Sequence, residues 1–174
     1  MKNNHLLILG LLWLSGILFC STMAVAKPVE KSFDLAGLIE CKKQIGDYNE
    51  LAMFLTAERE AAKALGWKEL KSANSFLREY QLKASITVFG FSTSKIAFGG
   101  SSINAVLEGT TPQALAQRLN LEKFIETPNK AMFFKNILEK KDAAYTDKIT
   151  LNVSSIETHP KQVLAGCDYR VEVH

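Results

Sequence analysis

Residues 167–173, Cys167-Asp168-Tyr169-Arg170-Val171-Glu172-Val173, alternate without a break. Cys, Tyr and the two valines occupy one phase and Asp, Arg and Glu the other. That is the period-two pattern of a strand with one buried and one wet face. The alternation puts Cys167 on the buried side. Upstream, Ile149, Leu151 and Val153 alternate with Thr150 and Asn152 in the same way, and the loop 157–166 joins the two segments. A connection this short, with no room for a crossover helix, makes neighbouring strands antiparallel.

Working outward, Thr127-Pro128 and Thr111-Pro112 each offer a hydroxyl cap followed by proline at the first helical position. The first of these predicts a helix carrying Phe133, Phe134, Ile137 and Leu138. The second predicts one that buries Leu115 and Leu119. Before them, Ile86, Val88, Phe89 and Phe91 mark a strand, Ser92-Thr93-Ser94 a polar turn, and 95–98 a second strand. Gly99-Gly100-Ser101-Ser102 then turns into a third strand, 103–107. At the start, Ser32 suits the N-cap of a helix running to Ile45. Asp47 with Glu50 suits a capping box for a second helix, and 61–70 continues helically with a break at Gly66. The order ααβββααββ predicts a single α+β domain over residues 27–174. It has an antiparallel sheet of about five strands, with helices packed mainly on one face.

Residues 1–26 read differently. Lys2, an apolar run over 6–19 and the small-residue end Ala24-Val25-Ala26 are the parts of a secretory signal peptide, with cleavage expected after Ala26. The run is shorter than the ~20 residues that span a bilayer, and no later segment is apolar enough to do so. Cys20 raises the alternative of a lipidated N-terminus. The bulky Leu18 and Phe19 before it fit that processing worse than the Ala-x-Ala site fits ordinary cleavage. The expected address is the periplasm or the medium.

Two cysteines would remain, Cys41 and Cys167. Cys41 follows Leu38 by three and precedes Ile45 by four, placing it on the apolar face of the first helix, while Cys167 faces inward from the last strand. In an oxidising compartment such a pair predicts one disulfide. The chain carries 21 basic and 18 acidic residues. The signal segment removes one lysine, leaving 20 against 18 with no basic run, which argues against a nucleic-acid partner.

No cofactor or metal site is legible, because neither Cys-x-x-Cys nor His-x-x-x-His occurs. Ser92-Thr93-Ser94-Lys95 matches Ser-x-x-Lys, but the helix and the companion motifs that this chemistry needs are missing. The Gly99–Gly100 turn lacks the Gly-Lys-Ser/Thr ending and the following helix that cradle phosphate. Asn152-Val153-Ser154 is a formal glycosylation sequon within a strand. A His159–Cys nucleophile pair would compete with the disulfide for its thiol.

The reading that survives is an exported, periplasmic, non-catalytic protein that binds another protein or an envelope component, of the inhibitor or immunity type. The alternative is an envelope enzyme or small-ligand carrier whose site is assembled only in the fold. A deep pocket of converging polar groups favours the alternative, and an open surface with exposed aromatics favours the binder. For the binding surface, the loop 157–166 offers His159, Lys161 and Gln162 on a tip stiffened by Pro160. The turn beside Phe91, with Ser92 and Lys95, is the second choice.

Overall fold

The computed structural model of the chain describes residues 31–58, 60–127 and 130–174. The expected signal peptide, its cleavage site and Cys20 lie outside the described residues. In chain order the elements are α1 (Leu35–Ile39), α2 (Ile45–Ala57), α3 (Ala61–Ala64), β1 (Lys68–Leu70), β2 (Arg78–Val88), β3 (Phe91–Gly99) and β4 (Ser102–Leu107). They continue with α4 (Pro112–Leu119), β5 (Glu122–Thr127), β6 (Lys130–Lys141), β7 (Tyr145–Ser155) and β8 (Val163–Val173). All described strands join one antiparallel sheet in the order β1-β2-β3-β4-β8-β7-β6-β5.

The fold is therefore mostly β. The expected α+β domain, with about five strands and helices packed on one face, is corrected to eight strands with four short helices among the described residues. The largest single error lies at 130–141. Ala131 and Phe133 point to one face, where they are buried with Ala116 of α4. Met132 and Phe134 point to the other and line a groove. With apolar neighbours on both faces the strand does not alternate, and its run of hydrophobics imitates a helix. Pro128 of the expected Thr127-Pro128 helix start lies outside the described residues, while Thr127 ends β5 and pairs with Lys130 at the start of β6.

Three local expectations also change. The helix expected over 61–70 ends at Ala64, Gly66 takes φ +71° and β1 follows. The turn expected at Ser92–Ser94 lies inside β3. The chain reverses at Phe89 and Gly90, whose φ values of +51° and +78° give the hairpin the doubly left-handed geometry that matches strand twist. Phe89 tolerates this because its ring is buried and its N–H donates to the Glu40 carboxylate at 2.7 Å. At the N-terminus α1 is capped by Asp34, which accepts from Gly37 N at 2.9 Å, and α2 opens at Gln44, whose N–H donates to Asp47 at 2.9 Å. By contrast, the Thr111 cap of α4 and the Gly99–Ser102 turn form as expected.

One face of the sheet carries Tyr80, Ile96, Ile103, Leu107, Val163 and Tyr169, packed in a single cluster with Leu38, Ile39 and Leu51 from α1 and α2. Each fully buried leucine or isoleucine contributes about 1.5–3 kcal/mol. Cys41 and Cys167 are joined by a disulfide across this core, with 5.2 Å between their Cα atoms and a sequence separation of 126. Cys41 does not sit on a helix. It follows α1 at φ +56°, where the chain turns inward to reach β8. Beside the bridge Tyr169 stacks on Tyr48 at 5.1 Å and donates its hydroxyl to Leu38 O at 2.7 Å. The opposite face holds a smaller cluster of Ala97, Val106 and Leu164, overlaid by Leu77 and Ile156.

Candidate functional site

The alternation of β8 that buries Cys167 and Tyr169 sends Asp168 and Arg170 to the opposite face. Register then decides their neighbours. Asp168 lies between Ser102 of β4 and Thr150 of β7, while Gly166 lies between Asn104 and Asn152, with Phe134 beyond. These rows, with the Gly99–Ser102 turn at one end and Phe124, Met132 and Phe134 at the other, enclose an open groove of about 500 Å³.

The polar end is braced. Ser101 donates its hydroxyl to Asp168 Oδ1. Arg170 donates to Asp168 Oδ2 at 2.9 Å and also reaches Glu172 at 3.9 Å. The Ser101 carbonyl accepts from Tyr169 N at 2.9 Å, and that of Gly100 accepts from the Tyr48 hydroxyl at 3.1 Å. The turn is thus held from both faces of the sheet. Burial of Tyr48, helped by the nearby Asp168 charge, pushes its phenol up to about 12. Tyr169 is raised as well, chiefly by burial.

The aromatic end is exposed. Phe124 keeps 66% of its surface in solvent while meeting Phe134 edge-on at 5.9 Å. Beyond Ser102 on β4, outside the lining, Asn104 donates to Ser102 Oγ at 3.1 Å, and its buried Oδ1 has no partner among the described residues. The lining therefore offers an aromatic wall and a charged wall facing one another. It includes no histidine, cysteine or lysine, and Asp168 already accepts from two donors.

The residues favoured from sequence lie elsewhere. His159 is not at an exposed tip: it is buried, with Nε2 3.1 Å from Glu79 Oε1 and Nδ1 3.0 Å from Thr158 Oγ1. The contact with Glu79 is close but not aligned as a hydrogen bond, so Oε1 has no hydrogen-bonding partner. Lys161 is exposed at φ +63° and Gln162 donates to Glu108 at 2.9 Å. All three line a second cleft of about 380 Å³ together with Thr110 and Thr111. Phe91 is half-buried with the Arg118 guanidinium 5.4 Å from its ring centre. Ser92 and Lys95 border a shallow depression that also includes Glu108, so Glu108 brings the two sequence candidates side by side. Neither lies in the larger groove. Among the described residues no three His, Cys, Asp or Glu side chains gather as a metal site, and no helix is long and apolar enough to cross a membrane.

Sequence reasoning missed the groove. Asp168 and Arg170 are legible as the wet phase of a strand, but Phe134 falls on the face of an expected helix and Met132 has no role in that reading. No known protein family, curated protein or solved structure matches the chain.

Proposed function

We propose that the chain is an exported, periplasmic binding protein, of the inhibitor or immunity type, and that it holds a segment of another envelope protein in the groove between Phe124 and Arg170. The observation that carries this is the groove's openness and amphipathic lining: an exposed aromatic wall faces a braced Ser101–Asp168–Arg170 wall. Aromatic and arginine side chains are the residues most enriched where protein partners anchor. A braced wall costs little to order on binding. The Cys41–Cys167 bridge is compatible with an oxidising compartment.

Affinity capture from envelope extracts, followed by mass spectrometry, tests this. One stoichiometric protein, retained by the wild type and lost by the Phe134→Ala and Arg170→Glu variants, supports it. A co-purifying small molecule released on denaturation overturns it in favour of a ligand carrier.

A further inference from the structure

Strand β5 closes one side of the sheet, and its outer edge has no strand neighbour among the described residues. All six of its residues, Glu122-Lys123-Phe124-Ile125-Glu126-Thr127, are exposed. An edge of this length is a template for another strand, and charges on an edge ordinarily deter a like neighbour. Here their order matters. Lys123 pairs with Phe133 and Glu126 with Ala131 on β6, and because the register shifts between Lys123 and Ile125 both charges face the same side of the sheet. Their intrachain approach of 3.5 Å agrees with that placement. The shift also turns Ile125, opposite Met132, to the groove side with Phe124.

We propose that two copies of this chain pair antiparallel along β5, about a two-fold axis between Phe124 and Ile125. In that register Lys123 stands opposite the second copy's Glu126, and Glu126 opposite its Lys123, so each copy supplies half of a four-charge cluster on one face. On the other face Phe124 meets the second copy's Ile125. A slip by one position that places Phe124 opposite itself brings Glu122 against Glu126, and like charges directly opposite are destabilising. The pairing extends the groove's aromatic wall across the two-fold, so that each groove is bordered by a residue of the other copy. The opposite edge of the sheet, β1, has only three residues and offers no comparable length.

Sedimentation velocity on the purified, disulfide-bonded chain across a dilution series tests the pairing. The wild type is expected to run as a dimer that dissociates on dilution. Lys123→Glu and Glu126→Lys should each weaken association by about tenfold or more, because two attractive cross-strand pairs become repulsive. The thermal midpoints should hold, since both side chains are exposed. An equimolar mixture of these two variants restores complementarity and should form a heterodimer. A wild-type chain that stays monomeric at every concentration overturns the proposal, even if the edge accepts an extended peptide. So does a dimer indifferent to both charge reversals, or a mixture that fails to associate. The Arg170→Glu change leaves this edge untouched and should keep the dimer, which separates failure of the pairing from failure of the groove.

Discussion

Glu79 on β2 and His159 in the β7–β8 loop meet at 3.1 Å in a region where both side chains are almost wholly shielded from solvent. The contact ties the loop over the sheet, beside the cluster formed by Ala97, Val106 and Leu164. The loop reinforces itself, with His159 N donating to Ile156 O at 3.0 Å and Gln162 N to His159 O at 3.1 Å.

Replacing His159 with alanine should therefore destabilise the protein by roughly 3 kcal/mol, through the cavity left by the buried ring and the lost hydrogen bond to Thr158. The thermal midpoint should fall on the order of 10 °C. A midpoint within a degree or two of wild type would mean that the imidazole carries no structural load. Lys161→Ala, at an exposed position, should change little.

The Cys41–Cys167 bridge should be found by non-reducing peptide mapping as one linked pair. Replacing both cysteines with serine should cost about 3–5 kcal/mol, because the loop released in the unfolded chain is long. Two thiols alkylated in the native protein would refute the bridge.

Gly166 should not accept alanine. A Cβ there would overlap the Ile103 carbonyl and stand 2.6 Å from Asn104 Cα, both backbone atoms that cannot swing aside. Destabilisation of about 3 kcal/mol is expected by chemical denaturation. Gly100→Ala has open space around it, so its cost should be limited to the strain of φ +59°.

Alkaline pH should unfold the protein through its buried phenols. An unfolded tyrosine ionises near 10, whereas folded Tyr48 keeps its proton up to about 12. The stability from holding it neutral is complete below pH 10 and is lost as pH rises through 12. Tyr48→Phe should flatten this decline and cost about 1 kcal/mol at neutral pH through the lost hydrogen bond to Gly100. Denaturation curves at pH 8, 10 and 11.5 give both readings.

The strands around 149–153 and 167–173, the inward phase of Cys167 and the Thr111 cap were legible because each is written in local pattern. The disulfide followed from the cysteine count; the helical phase expected for Cys41 gives way to a turn at φ +56°. Two features were not legible. Residues 131–134 have apolar neighbours on both faces, so Met132 and Phe134 alternate with Ala131 and Phe133 as a continuous apolar run that erases the period of two. His159 lies in a polar, proline-containing loop, and only the distant Glu79 explains its burial. The groove is illegible for a related reason: its lining comes from β3 through β8, and no spacing along the chain connects Ser101, Phe124 and Arg170.

The most direct measurement is site-specific photocrosslinking in intact cells that express the chain. A photoreactive residue placed at Thr150, on the groove floor, should yield a discrete adduct with one envelope protein. The same residue at Lys83, exposed on β2 and outside the groove, should yield none. An adduct from Lys83 but not Thr150, or none from either position in folded protein, would contradict binding through the groove.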